Sequence, residues 1–180
     1  LDPRYKKLEE ALKYEGQTMG HCVGGYCPDV AAGSSRIFSL RDAKGEPHVT
    51  IEVNPKGKLY ADEWMKTLSP QERSEILSSA GSVLEHPKYL EAKSKVPQAI
   101  KQIKGKQNKA PKAEYLPYVQ DFVRSGEWSD IGDFKNTGFD YPATGPSGIF
   151  HPDQMKVLEN AGIKVPKYLT VDEANKYKDD

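Results

Sequence analysis

The chain has 180 residues, of which 37% are hydrophobic and 29% are charged, and its formal net charge at pH 7 is zero. This length suits one ordinary domain with a real core and long polar connections. No apolar run approaches the roughly 18 residues of a membrane-spanning helix, and the first residues lack the apolar core of a signal peptide. These features argue against a membrane protein, and the leucine at position 1 suggests a fragment of a longer chain.

The cysteines indicate the redox compartment, and the charge distribution indicates the kind of partner. The two cysteines, Cys22 and Cys27, come without a secretory signal, so we expect free thiols in a reducing compartment rather than a disulfide. Residues 88–112 hold eight lysines against the single acid Glu91, a local charge of +7. This stretch is either a solvated surface or an electrostatic footprint for nucleic acid or another polyanion.

The N-terminal third predicts two helices and a hairpin. Apolar spacing over residues 4–15 predicts an amphipathic helix that Gly16 stops, and Thr18 can cap a second helix running to about Ala32. Two β-rich runs, 36–41 and 48–53, are joined by a turn-forming segment and predict an antiparallel hairpin.

One face of this hairpin is apolar, with Val49, Ile51 and Val53, and the other carries His48, Thr50 and Glu52. If a helix covers the polar face, those residues become a site; otherwise they meet water.

The rest of the chain predicts further helices around a third strand. Residues 58–97 form a helical excursion, with a helix starting at Ser69 and Pro70. Residues 99–105 alternate as a strand, which places Ile100 with Gln102 and Lys104 on one face and Ile103 on the other. We then expect a helix over 112–125, irregular structure over 127–150, a last helix over 152–160 and a polar tail. The expected fold class is α+β: a small, mainly antiparallel sheet packed by helices.

Cys22 is the natural nucleophile candidate. Near a helix start its thiol pKa would fall, although buried cysteines are more often small hydrophobes. His48, with Glu52, Gln102 or Asn108 behind it, is a candidate base; His21 would point away from Cys22 on a helix.

The same residues suggest two other kinds of site, one for zinc and one for phosphate. A zinc site from His21, Cys22, Cys27 and His48 lacks the usual ligand spacing, so no metal is expected. The segment 104–109, with Gly105, suits phosphate oxygens or is a lysine-rich turn.

Four motifs in a fixed order resemble the PcfJ-like family, whose members occur in conjugative elements and bacteriophages. The resemblance spans about residues 14–125. It implies a setting in phage or plasmid transfer and supplies no established reaction. The motif residues are His21, Cys22, Val23, Gly24 and Tyr26; Leu40 and Arg41; Thr50 and Glu52; and Gln102, Gly105 and Asn108.

Because His48 and Cys27 fall outside these motifs, the resemblance favours a shared polar cluster, in which Arg41 pairs with Glu52 across the hairpin. Its catalytic candidates are Cys22, His21, Arg41, Glu52 and Gln102. Its binding candidates are Tyr26, Thr50, Lys104, Gly105, Lys106 and Asn108. A buried network that locks a helix to the sheet is an equally physical interpretation.

The expected organisation is one domain over 1–126, with the insertion at about 58–97, and a C-terminal extension over 127–180 that packs on it. The leading hypothesis is an accessory protein of a phage or mobile element, with this cluster used for Cys22-dependent hydrolase or transferase chemistry. The alternative is a non-catalytic module that binds DNA or RNA through Lys88 to Lys112. Phage or conjugation proteins are the expected protein partners, no cofactor is implied, and the expected location is the bacterial cytoplasm or a phage particle.

Overall fold

The computed structural model describes residues 3–21, 25–143 and 148–178 and confirms the α+β class. The helices are α1 (Lys6–Met19), α2 (Cys27–Ala31), α3 (Ala61–Lys66), α4 (Pro70–Ser78), α5 (Pro87–Ser94), α6 (Leu116–Arg124), α7 (Pro152–Asn160) and α8 (Val171–Lys178). The strands are β1 (Arg36–Arg41), β2 (Pro47–Asn54), β3 (Ala99–Lys104), β4 (Tyr141–Pro142) and β5 (Tyr168–Leu169). No helix in the described part of the chain is both long and apolar enough to cross a membrane.

The hairpin prediction is confirmed, and it forms two strands of a three-stranded antiparallel sheet. The strand order is β1-β2-β3, so β2 lies in the centre and is buried along most of its length. At the hairpin turn the Asp42 carboxylate accepts hydrogen bonds from the backbone N–H groups of Lys44 and Glu46, at 2.8 and 3.1 Å. This Asx-type turn fixes the register that places Ser39 opposite Thr50.

The predicted alternation in β3 is wrong, because the strand contains a bulge. Val53 pairs with Ile100 and Glu52 with Gln102, so Lys101 is an extra residue that leaves both Ile100 and Ile103 fully buried on the core side. Gly132 packs against the Lys101 carbonyl so closely that a Cβ atom there would lie 2.1 Å from its oxygen. The bulge therefore turns Lys101 out of the regular ladder.

The apolar face of the sheet forms the main core. Val49, Ile51 and Val53 pack with α6, whose Val119 and Val123 are buried. The predicted sealing helix is thus present, although its α-helical part begins at Leu116 after a 3-10 turn. Because α6 covers this face, the polar face of the same strands is available to a different element.

That element is α1, which ends later than the sequence predicts. Gly16 does not stop the helix: it is buried inside α1, and the helix ends at Met19 where Gly20 adopts φ +69°. The cost of glycine in a helix, about 1 kcal/mol, is small beside the packing energy of a buried helix face. Thr18 therefore lies inside α1, and the second helix begins only at Cys27.

The helices predicted over residues 58–97 are present as α3, α4 and α5, and they have an apolar cluster of their own around Trp64, Ile76 and Tyr89. The predicted helix over 152–160 is also present as α7. The prediction of a polar tail after α7 is wrong. The residues that follow α7 form β5, which pairs with β4, and then α8. Leu169 and Ala174 are fully buried in an apolar cluster with Ala143 and Phe150, so this segment packs through apolar side chains.

Candidate active site on the polar face of the sheet

The polar face of the hairpin is covered by α1, and the contact is built around Glu15. Its side chain is 2% exposed. One carboxylate oxygen accepts the Thr50 hydroxyl at 2.5 Å, and the other accepts Ser39 Oγ at 2.8 Å and Arg41 Nη2 at 3.1 Å. Among the described residues, no buried side-chain nitrogen or oxygen lacks a hydrogen-bond partner. The cluster is therefore a fully satisfied polar network rather than a solvated surface.

His21 extends this network at the end of α1. Its Nε2 lies 3.1 Å from Thr50 Oγ1. Thr50 has a single hydroxyl proton and donates it to Glu15, so its oxygen must accept from His21 Nε2. His21, Thr50 and Glu15 thus form a hydrogen-bonded chain that orients the imidazole ring.

The protonation state of His21 follows from its surroundings. Burial lowers the pKa of this imidazole below 6.5, against the opposing influence of the Glu15 charge and of a hydrogen bond with its own backbone. The ring is consequently neutral at pH 7. A neutral imidazole with a fixed N–H direction is the form that can accept a proton from a nucleophile.

Arg41 contributes to the same cluster, but not with the predicted partner. The register places Arg41 opposite Pro47 and Ile37 opposite Glu52, so Arg41 cannot pair with Glu52 across the hairpin. Arg41 instead binds Glu15, donates from Nε to Ser39 at 3.1 Å, and lies 5.3 Å from the centre of the Tyr14 ring. The guanidinium thus orients the Glu15 carboxylate.

Glu52 and Gln102 form a second polar group on the same strand face. The Gln102 amide donates to Glu52 Oε1 at 3.2 Å, and Ser35 Oγ donates to Oε2 at 3.0 Å. Glu52 is 4% exposed, and Lys101 Nζ is 3.8 Å from its carboxylate. The predicted proximity of Glu52 and Gln102 is therefore seen, but Glu52 belongs to a group separate from Arg41.

The predicted nucleophile directly follows His21 in the sequence. Cys22, Val23 and Gly24 fall outside the described residues. His21, however, is not part of a helix, because α1 ends at Met19 and α2 begins at Cys27. The predicted helical geometry, in which His21 points away from Cys22, therefore does not apply.

The other cysteine, Cys27, and the predicted binding residue Tyr26 pack in an apolar cluster. Cys27 is a free thiol with 3% exposure, and it packs with Leu12 in an apolar cluster. Tyr26 packs against the same cluster. Both residues pack through this apolar cluster with Leu12 of α1 rather than through the hydrogen bonds of the polar network.

The predicted phosphate-binding segment is a compact turn next to the end of α1. A Cβ at Gly105 would meet the Ala110 carbonyl at 2.8 Å, and one at Gly20 would lie 3.5 Å from Gln107 Cγ. Gln107 and Asn108 both adopt positive φ, +59° and +58°. Non-glycine residues in this region carry backbone strain of order 1 kcal/mol or more, and such residues cluster at functional sites.

Five of the eight lysines of the basic stretch lie within 4 Å of an acid, and four of these acids come from other elements. Lys104 lies 2.9 Å from Asp133 and Lys106 lies 2.7 Å from Glu46. Similar contacts of 3.2 to 3.9 Å join Lys88 to Glu75, Lys95 to Glu91 and Lys101 to Glu52. The tertiary structure therefore offsets much of the positive charge that the sequence concentrates there.

His48 lies at the hairpin turn. Its Nε2 is 2.9 Å from Asp42, its ring stacks on Tyr115 with centroids 4.4 Å apart, and the hydrogen bond from His48 lowers the pKa of Asp42. In the described part of the chain, Asp42, Glu46 and His48 are the set whose ligand atoms lie within 4.8 Å of one another. Since Lys106 already places an ammonium on Glu46, this set is an ion-paired turn. His48 and Cys27 are not brought together as zinc ligands.

Glu15 and Ser39 are the site residues that sequence reasoning missed. A signal for Glu15 exists: it follows Leu8 and Leu12 and precedes Met19 at helical spacing, so a carboxylate lies on the buried stripe of α1. Because an unpaired carboxylate is rarely buried, a glutamate at this position needs hydrogen-bond donors or a cation beside it.

Comparison with known proteins gives one family match. Residues 7–61 match the family model described as PcfJ-like protein, which supports the resemblance drawn from the motifs that lie within this range. This range contains α1, the His21 segment and the whole β1-β2 hairpin, whereas Gln102, Gly105 and Asn108 lie beyond it. No curated protein and no solved structure matches the chain.

Proposed function

We propose, for a chain whose residues 7–61 belong to the PcfJ-like family, that Cys22 is the nucleophile of a hydrolase or transferase centre and His21 is its base. The observation that carries this proposal is the buried relay from His21 through Thr50 to Glu15. A nucleophilic cysteine needs a neighbouring base held by a third group. His21 is the immediate neighbour of Cys22, and the relay holds its ring.

The roles follow from the chemistry of acyl transfer. Neutral His21 takes the thiol proton, and the Cys22 sulfur attacks a carbonyl carbon; a C–S bond forms as the bond to the leaving oxygen or nitrogen breaks. The imidazolium returns the proton to the leaving group. Water, or an acceptor hydroxyl or amine, then cleaves the thioester and frees Cys22. Thr50 and Glu15 are positioning residues in this scheme, because they act through His21.

Glu15 also suits the charge that develops during the reaction. When His21 becomes an imidazolium, the Glu15 carboxylate two hydrogen bonds away stabilises it, as its tendency to raise the His21 pKa indicates. Arg41 and Ser39 keep that carboxylate in one orientation.

The biological setting proposed is that of an accessory protein of a phage or mobile element. The family resemblance supports this setting, and the location proposed with it is the bacterial host cell or a phage particle. The substrate class is an acyl compound, an ester, thioester or amide, because that is what a cysteine and histidine pair attacks.

An activated ester tests this function. With p-nitrophenyl acetate, we expect a burst of nitrophenolate and an acetyl group on Cys22, located by peptide mass spectrometry. Because general-base assistance is worth about 100-fold or more, His21→Gln should slow the burst at least about tenfold, and Cys22→Ser should abolish it.

Two matched variants serve as controls. His48→Gln removes an imidazole at the hairpin turn, and Cys27→Ser changes a buried thiol; both should acylate at the unmodified rate. Acylation of another residue, or an unchanged burst in His21→Gln, would refute the proposal.

A further inference from the structure

A cavity of about 450 Å³ lies where the helical insertion meets the ends of β2 and β3. Three lysines line it: Lys58 from the loop after β2, Lys93 from α5, and Lys101 from the bulge in β3. One acid, Asp130, lines the same cavity. The site is separate from the His21 network and does not depend on the function proposed for it.

The bulge is what brings Lys101 to this cavity. In regular alternation Lys101 would share a face with Ile103, but the bulge permits Ile103 to be buried while Lys101 turns outward. The close contact between Gly132, which also lines the cavity, and the Lys101 carbonyl fixes that geometry. A position set by backbone packing is harder to explain as a chance surface lysine.

The lysines keep their charges available. Lys58 Nζ is 3.8 Å from Asp130, and Lys101 Nζ is 3.8 Å from Glu52, both at the outer limit of an ion pair. The two lysine side chains are 52% and 66% exposed, so both ammonium groups can reach a ligand in the cavity. Three lysines outnumber the two carboxylates near them, Asp130 in the lining and the buried Glu52 beside Lys101, so the cavity keeps a net positive charge, which favours an anion.

The aromatic lining narrows the class of anion. Tyr60 is 50% exposed at the same cavity, and Lys58 Nζ lies 4.7 Å from its ring centre. Exposed aromatic rings beside lysines are the arrangement that holds a base and a phosphate together. The volume is also within the range of small-ligand sites.

We infer that this cavity binds a nucleoside phosphate, with the phosphate on Lys93 and Lys101 and the base against Tyr60. The nucleotide is either free or part of a single strand. A single strand of nucleic acid bound here would contact two lysines of the basic stretch, Lys93 and Lys101, inside a defined cavity. It would not depend on the overall positive charge of the stretch.

Titration of the isotope-labelled protein with AMP, followed by amide NMR at low ionic strength, tests this inference. We expect saturable shifts at residues lining the cavity. The double variant Lys93→Gln and Lys101→Gln should weaken AMP binding at least about tenfold, which corresponds to about 1.4 kcal/mol. Lys109→Gln with Lys112→Gln removes the same charge from the same stretch outside the cavity and should leave the affinity unchanged.

Two further ligands, inorganic phosphate and an oligothymidylate, separate the sources of binding. Inorganic phosphate should bind more weakly than AMP and be insensitive to Tyr60→Leu, whereas AMP should lose affinity in that variant. An oligothymidylate that competes with AMP would place a single strand in the cavity; one that does not compete would restrict the cavity to free nucleotides. Absence of saturable AMP binding, or equal weakening by both lysine double variants, would overturn the inference.

Discussion

Replacing Glu15 with alanine is expected to lower the free energy of unfolding by about 3 to 5 kcal/mol, the range found when one partner of a buried ion pair is removed. Thr50 would lose its acceptor while 4% exposed, and Arg41 and Ser39 would lose theirs. Arg41 is 37% exposed and can be rehydrated, so the lower part of the range is expected. Denaturant unfolding followed by circular dichroism measures the change.

The same helix supplies matched controls. Glu9 pairs with Lys13 at 3.2 Å but is 38% exposed, so Glu9→Ala should change stability by less than about 0.5 kcal/mol. Glu15→Gln keeps the shape and one acceptor, and its cost should fall between the two. A loss below about 1 kcal/mol for Glu15→Ala would mean that the network does not hold α1 on the sheet.

Thr50→Val should cost about 2 kcal/mol and also slow alkylation of Cys22 by iodoacetamide. Valine has the same shape as threonine but leaves the Glu15 carboxylate and the His21 N–H without the hydroxyl that joins them. Hydrogen bonds to charged groups contribute about 1.5 to 3 kcal/mol, which sets the stability estimate. Unfolding and alkylation are measured on the same sample, so the structural and the catalytic consequences are seen together.

Thr67→Val is the comparison for this change, since the Thr67 hydroxyl donates only to the Trp64 carbonyl at the end of α3. It should alter stability by less than about 0.5 kcal/mol and leave Cys22 alkylation unchanged. If Thr50→Val were as destabilised as expected but alkylated at the unmodified rate, the relay would be structural alone.

Local sequence pattern was sufficient for the hairpin and for most helices. Alternating residues in β1 and β2, and a turn held by the Asp42 side chain, are short-range features that determine register without help from the rest of the chain. The same holds for α4, whose Ser69 cap accepts the backbone N–H of Glu72. Physical chemistry within a few residues decides these elements.

The site could be predicted only in part, because its contacts are long-range. The low helix propensity of Gly16 predicts the end of a helix. The packing of α1 on the sheet outweighs that propensity, and the helix continues. The partner of Arg41 depends on strand register and on a carboxylate 26 residues away, and sequence spacing cannot decide between Glu15 and Glu52. The bulge at Lys101 follows from Gly132, a residue outside the strand.

The pH dependence of Cys22 alkylation, followed by peptide mapping, tests the central claim most directly. Since burial lowers the pKa of His21, the ring stays neutral through pH 7 and should assist the thiol until acid protonates it. We predict a midpoint below about 8, lower than the ordinary thiol value of about 8.5, with a shift upward in His21→Gln. An unreactive Cys22, or a midpoint near 8.5 that is the same with and without His21, would contradict the account.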